Sequence, residues 1–385
     1  YSTTVTITVD PASDGGSIQG PAMICNYTTT GELTLTGYTG DIIRWEYSTD
    51  NITWITIANT TNTLALGSLS AGTYHYRVLV QSGSCPEEYS ASFQVTVMNC
   101  GSSSSHCTYT QGFYGNLGGR GCSGGDTSGN TLETTLDKLN KAFDFYGSNR
   151  VIFGRTDIGG VPTDDRAFTL FRDDINNQSI FKMLPGGGTS MVLGIMPGGS
   201  AFGSTYEGAT YSNQSTWSAV PLVASGPNKG RIKNSLLAQT MTLFFNLNNG
   251  TNLAALPLHD TLYVSDFDCL TGDPVPGAGI LTFGLPHDVL VYIVNNPTDY
   301  TKDVGGLYKL ANDIMGGVAT PGLNQSQVID AVDKINNAFD ECRSLVGSFD
   351  VPINNPTLSS VPYADDDASK ITISADQSLY VKSFP

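Results

Sequence analysis

A nine-residue stretch of alternating residues stands at Tyr1–Val9 and returns in similar form at Tyr89–Val97. In the first copy Val5, Ile7 and Val9 occupy odd positions, while hydroxyl-bearing residues fill the even ones. This period of two predicts a β-strand with one buried face. The second copy has a domain before it to complete, whereas the first copy has none in this chain. We therefore expect Val5, Ile7 and Val9 to pair with a sheet elsewhere, as the last strand of a preceding repeat or as a strand donated to a neighbouring molecule.

The composition narrows the class of protein. Only 14% of the residues are charged and the net charge is −16, whereas soluble domains usually carry roughly 25% charged residues. A strongly acidic chain argues against nucleic acid and anionic membranes as partners. The sequence has no run of about 18 apolar residues, so we expect no transmembrane segment. Abundant Ser, Thr, Asn and Gly complete the pattern of an extracellular, strand-rich protein of the cell surface.

Residues 10–98 contain short alternating runs separated by turn-forming residues. Such spacing predicts an immunoglobulin-like β-sandwich, with Trp45 available for its core. The predicted strands are Glu32–Thr36, Ile42–Tyr47, Trp54–Ile57, Thr73–Val80 and Tyr89–Val97.

The chain changes character after a Ser-rich linker at residues 99–106. The pattern of residues 107–350 predicts a larger mixed α+β domain, and residues 351–385 are expected to form a tail. The expected fold class is mainly β, with an immunoglobulin-like sandwich followed by this mixed domain. The predicted helices are Thr131–Tyr146, Arg231–Asn246, Asp303–Met315 and Ser326–Val346. The predicted strands are Ala167–Phe171, Ser179–Leu184, Met191–Ile195, Thr261–Phe267 and Val289–Val294.

Seven cysteines are spread along the chain without the paired spacing of a metal site. Disulfides are therefore expected, as in exported proteins. Assignment within domains predicts the pairs Cys25–Cys85, Cys107–Cys122 and Cys269–Cys342 and leaves Cys100 without a role.

One acidic loop is a candidate calcium site. Asp266 and Asp268 alternate along an extended segment, and Gly272 allows a turn that brings Asp273 towards them. Oxygen ligands in a turning loop suit calcium. The alternative is an acidic loop exposed to solvent.

Two His-Asp pairs, His259-Asp260 and His287-Asp288, form a second candidate site. If the pairs met in space they could hold a metal ion. Each pair follows closely on a proline, so two separate surface turns are the alternative. Among the aromatic residues, Trp54 and Trp217 could stack on sugar rings or could fill cores.

Several stretches resemble a known class of proteins. Ile24-Cys25, Glu32–Gly37, Arg44-Trp45 and Gln81–Cys85 resemble the immunoglobulin-like repeats of large surface proteins in gliding bacteria that use type IX secretion. This resemblance implies a spacer or adhesive module without catalytic residues. Cys107–Asn116 is similar to the start of domains near the C-termini of secreted surface proteins. Ser378–Pro385 is similar to the lead-in to a type IX sorting domain.

The sequence shows no paired carboxylates or activated nucleophile. The glycine-rich Gly119–Gly124 lies in a cysteine-containing segment, whereas a dinucleotide site needs a preceding strand, a parallel sheet and an acidic residue about 20 positions on. We therefore expect a non-enzymatic adhesin or extracellular filament subunit built from repeat domains. Its partners would be neighbouring repeats, identical subunits or surface glycans, and calcium is the candidate cofactor. The alternative is a carbohydrate-binding module of a larger secreted polysaccharide-acting protein.

Overall fold

The computed structural model describes residues 9–26, 31–67, 69–98, 105–123, 131–155, 166–193, 206–207, 221–223, 225–249, 252–275 and 278–351. Strands and helices both contribute extensively to these residues, so the chain is mixed α+β rather than mainly β. Strands dominate up to residue 98, and the helices all follow residue 110. The expectation of a mainly β chain gave too little weight to this longer helical part.

Among the described residues up to 98, the strands form two sheets. The smaller sheet has the strand order β1-β3-β6, and the larger has the order β2-β9-β7-β4-β5, with β8 paired to β7. Most neighbours are antiparallel, but β2 runs parallel to β9. The strands are β1 Ser17–Gln19, β2 Met23–Cys25, β3 Glu32–Thr36, β4 Asp41–Ser48, β5 Ile55–Ile57, β6 Thr63–Ala65, β7 Gly72–Gln81, β8 Glu88–Tyr89 and β9 Phe93–Met98.

Both sheets contribute side chains to one hydrophobic cluster. Leu33 and Leu35 enter it from β3, and Val78 and Val95 enter it from β7 and β9. Trp45 of β4 is completely buried, and its indole N–H donates to the carbonyl of Thr61 at 2.9 Å. In β3 and β9 the buried residues alternate with more exposed ones, as expected for strands with one buried face.

In the second part of the chain, the described residues form helices and three further sheets. The largest has the order β10-β19-β16-β17, with β18 also paired to β16, and the others are β11-β12 and β13-β14-β15. The helices are α1 Gln111–Tyr114, α2 Thr135–Tyr146, α3 Arg172–Asn176, α4 Ile180–Met183, α5 Ser235–Leu247, α6 His287–Asn295, α7 Val304–Met315 and α8 Gln325–Ala338, with a 3-10 turn at Asn252–Ala255. The strands are β10 Ser105–His106, β11 Arg120–Cys122, β12 Leu132–Thr134, β13 Arg150–Arg155, β14 Arg166–Phe171, β15 Tyr206–Glu207, β16 Thr261–Asp268, β17 Asp273–Pro274, β18 Ile280–Gly284 and β19 Arg343–Phe349.

Helix α5 lies at the centre of this second part. Eleven of its residues are buried, and it packs against α2, α7 and α8. Asn234 caps its N-terminus by accepting hydrogen bonds from the N–H groups of Leu236 and Leu237 at 3.1 and 3.3 Å. A helix that is apolar on all sides is expected in a core. Within the described ranges, no helix combines the length and hydrophobicity needed to cross a bilayer.

Several predicted elements are wrong. The predicted strand Met191–Ile195 is described only at residues 191–193, which form no strand, and the predicted strand Tyr89–Val97 is broken at residues 90–92, between β8 and β9. Val289–Val294 and Ser179–Leu184 were predicted as strands, but the structure has helices α6 and α4 there. The helix predicted to continue to Val346 ends at Ala338. Glu341 and Cys342 have positive φ angles of 58° and 74°, so the backbone leaves the helix and enters β19.

Candidate functional site

Helix α6 places four side chains along one outward face. Asp288, Val291, Tyr292 and Asn295 follow the spacing i, i+3, i+4 and i+7, which is one face of a helix. The opposite face is buried. Together with Asn296 and the loop Pro321–Leu323, the outward face lines a cavity of about 390 Å³. We call this cavity the α6 groove.

Hydrogen bonds tie the two walls of the α6 groove to each other. Gln327 in the first turn of α8 donates from Nε2 to Oδ2 of Asp288 at 2.5 Å. The Oε1 atom of Gln327 accepts from the backbone N–H of Asn324, the N-cap of α8, at 2.9 Å. Asn324 directly follows the loop Pro321–Leu323. One side chain therefore holds α6 on one side and the end of the loop on the other.

Aromatic contacts support the floor of the α6 groove. The half-buried ring of Tyr292 lies 6.0 Å from the ring of Tyr300, which is buried and tilted by 46°. The hydroxyl of Tyr300 donates to Asp313 at 3.0 Å. Burial and the adjacent Asp313 raise the pKa of Tyr300, so this hydroxyl keeps its proton near neutral pH. Asn296 donates from Nδ2 to the carbonyl of Tyr292 at 2.8 Å.

The two His-Asp pairs of the sequence come into contact, but the contact joins the aspartate of one pair to the histidine of the other. Asp260, which is buried at the start of β16, lies with Oδ1 2.6 Å from Nδ1 of His287, the first residue of α6. Its Oδ2 accepts from the N–H of Val351 at 2.7 Å. The contact fixes the first turn of α6, so Asp260 and His287 position the groove rather than line it.

His259 belongs to a neighbouring cluster of polar contacts. Its Nδ1 lies 3.1 Å from Oδ2 of Asp350, and Lys302 reaches the same oxygen at 2.9 Å. Partial burial would raise the pKa of Asp350, but hydrogen bonds from Lys302 and His259 outweigh it and hold that pKa below its usual value. Among the described residues, His259, Asp260 and His287 do not gather their ligand atoms around one point, so the geometry describes pairwise polar contacts rather than a metal centre.

The acidic loop spreads its three carboxylates. Asp268 and Asp273 lie opposite each other across the β16–β17 ladder, with Gly272 at φ 81° in the turn between them. Asp268 accepts from the backbone N–H of Leu270, which fixes the turn. Asp266 pairs instead with Arg343 at 2.9 Å. The three carboxylates do not converge within 4.8 Å of one another, and calcium binding by Asp266, Asp268 and Asp273 stays a prediction.

The cysteines of the second part form disulfides, but with partners other than those predicted. The bonds are Cys107–Cys342 and Cys122–Cys269. The sulfur atoms of Cys122, Cys269 and Cys342 lie within 4.8 Å of one another. The predicted pairs Cys107–Cys122 and Cys269–Cys342 used the same four residues and are wrong, because the fold brings all four to one buried place.

The predicted Cys25–Cys85 bond is also wrong. Cys25 is disulfide-bonded, whereas Cys85 is free and half-buried. Cys25 is buried on β2, beside Met98 and Val346. Cys85 lies in the turn after β7, where its thiol reaches the carbonyl of Pro11 at 3.3 Å.

The remaining predicted residues have varied outcomes. Val5 and Ile7 lie outside the described residues, as do Trp217 and Cys100, and Val9 is described with a side chain that is 83% exposed. Trp54 is already covered, because the guanidinium of Arg77 lies 4.0 Å from its ring centroid. The Tyr292 face was missed in the sequence, although Asp288, Tyr292 and Asn295 carry the helical spacing that could have revealed it.

Comparisons with known proteins give one match. A family model described as "Domain of unknown function (DUF8696)" matches residues 14–99, which span the strands β1 to β9. No curated protein and no solved structure matches the chain. The matched part ends just after β9, so it does not include the α6 groove.

Proposed function

We propose that the chain belongs to a non-enzymatic cell-surface protein built from repeat domains, either an adhesin or an extracellular filament subunit exported by type IX secretion. The repeated strand carries this proposal. Its second copy, Tyr89–Val97, contains the last residue of β8 and all but the last residue of β9, and both strands pair with β7 in the larger sheet. A second sequence of the same type at Tyr1–Val9 needs an equivalent sheet.

Two further features support this role. The two sheets that share one cluster suit an immunoglobulin-like repeat of the kind used as a spacer. The buried disulfides suit an oxidising environment outside the cell. Neighbouring repeats or identical subunits are the proposed partners.

Assembly of the purified chain tests the filament form of the proposal. Ile7→Asp places a charge on the apolar face of the predicted strand Tyr1–Val9, whereas Thr6→Asp places the same charge on its polar face. If the strand is donated to another copy, Ile7→Asp abolishes head-to-tail oligomers and Thr6→Asp retains them, because only the apolar face would be buried. Electron microscopy and light scattering measure the outcome. Equal assembly of both variants contradicts strand donation and leaves repeats closed within one polypeptide.

The α6 groove favours a second candidate function, a carbohydrate-binding module within a larger secreted protein. Its combination of an aromatic ring with amide and carboxylate groups is the observation in favour. The two functions are compatible, since an adhesin needs a ligand. The longer polypeptide separates them: further repeats favour the first function, and an adjoining catalytic domain favours the second.

A further inference from the structure

The α6 groove divides into an apolar floor and a polar rim. Val291, Tyr292 and Leu323 are half-buried and offer carbon surface. Asp288 and Asn295 are exposed at its edge. Pockets for small ligands commonly have a volume of about 300–1,000 Å³ and combine apolar walls with a few placed polar groups. The groove fits this description.

The charge of the groove limits which ligands it can bind. Among the described residues that line the groove, Asp288 is the one charged residue, and no lysine or arginine is included. Asparagine amides both donate and accept, and a carboxylate accepts only. The rim therefore suits a ligand with several hydroxyl groups and disfavours an acidic one, since an anion would face Asp288 without a compensating cation.

Sugar rings match these features. A pyranose has carbon–hydrogen faces that pack on an aromatic ring, and a rim of hydroxyls that both donate and accept. Tyr292 supplies the ring, and Asp288 and Asn295 lie three or four positions from it on the same helical face. We propose that the α6 groove is a binding site for a neutral sugar. The inference deepens the proposed surface function by naming the ligand class, and it rests on that function for its biological role.

The site is prepared before a ligand arrives. Gln327 holds Asp288 in place, and the contact between Asp260 and His287 fixes the helix end from which Asp288 projects. Tyr292 is supported by Tyr300. Binding to side chains that are already ordered costs less conformational entropy than binding to mobile ones. The contact between Asp260 and His287 therefore stabilises the groove, although neither residue would contact the ligand.

Saturation-transfer NMR on the full chain tests the site. The probes are cellobiose, chitobiose and lactose as neutral sugars, with glucuronate as an acidic one. We expect saturable binding of at least one neutral sugar and none of glucuronate. Tyr292→Ala and Asn295→Ala each weaken that binding by about tenfold or more, because each removes a direct contact. Asn295 is exposed, so its replacement should leave the fold intact, and thermal melting checks this.

Two controls complete the experiment. Phe145→Ala removes an exposed aromatic ring on α2, and Val294→Ala changes an exposed residue of α6 that does not line the groove. Both should bind like the unaltered chain. The inference is overturned if none of the neutral sugars binds, if glucuronate binds as well as they do, or if Asn295→Ala binds normally. Sugar binding and strand-mediated assembly are measured separately, so either result can fail while the other stands.

Discussion

Asp340 shows how one residue can work against the stability of the fold. It lies just after α8 and pairs in a bridge with Thr108. Burial, aided by the neighbouring charge of Glu341, raises its pKa to about 6. The ordinary value for aspartate is about 3.9. Between these values the folded state binds more protons than the unfolded state, so the free energy of unfolding falls as pH rises through this window.

Replacing Asp340 by asparagine should remove this pH-dependent fall in the free energy of unfolding. We expect Asp340→Asn to raise the melting temperature at pH 7.5 and to change it little at pH 4, where the folded protein already carries a neutral Asp340. The control is Asp330→Asn, an exposed aspartate on α8. Thermal melts at the two pH values provide the measurement. The same shift at both values would show that the effect of the variant does not depend on the charge.

Cysteine chemistry was predictable at the scale of the residue, but cysteine pairing was not. Composition and spacing indicated disulfides, and five described cysteines are indeed bonded. The predicted pairs joined residues within one domain by simple co-location. Loop-closure entropy grows only with the logarithm of loop length, so sequence distance gives weak guidance. The Cys107–Cys342 bond spans 235 positions because folding had already placed its ends together.

At the scale of the element, the N-cap of α5 can be tested directly. Asn234 is completely buried and also donates from Nδ2 to the carbonyl of Met191 at 2.8 Å. We expect Asn234→Ala to lower the free energy of unfolding by about 1–3 kcal/mol, because two amide groups and one carbonyl lose their partner. Asn234→Ser retains an acceptor for the cap and should lose less. Chemical denaturation measures both, and equal losses would mean that the cap contributes nothing.

Elements with long periodic patterns were predicted well, and short apolar runs were not. The patterns of α2, α5 and α7 located each helix to within a few residues. Val289–Val294 contains β-branched residues in a short run, which periodicity alone cannot assign. The tertiary structure decides it, because Val289, Leu290 and Ile293 are buried together on one side of α6. Because α6 was predicted as a strand, the helical face that lines the α6 groove was not recognised in the sequence.

At the scale of the whole molecule, the disulfides allow a decisive measurement. Peptide mapping without reduction should recover Cys107 joined to Cys342 and Cys122 joined to Cys269. Replacing both Cys107 and Cys342 by serine should lower the free energy of unfolding by about 3–5 kcal/mol, since a long loop is released in the unfolded chain. Cys85→Ser should change it little. Recovery of a peptide pair that joins Cys107 to Cys122 would contradict these bonds and support the pairing expected from the sequence.

The Cys107–Cys342 bond also determines how the chain carries load. A pull applied before residue 107 and after residue 342 passes through this bond and bypasses the 235 positions that it spans. Extended, those residues would measure about 800 Å, at roughly 3.3–3.6 Å each. That contour length stays hidden while the bond is intact. Under tension the segment between Cys107 and Cys342 therefore behaves as a short, inextensible link, and any lengthening must come from the chain before residue 107 or after residue 342.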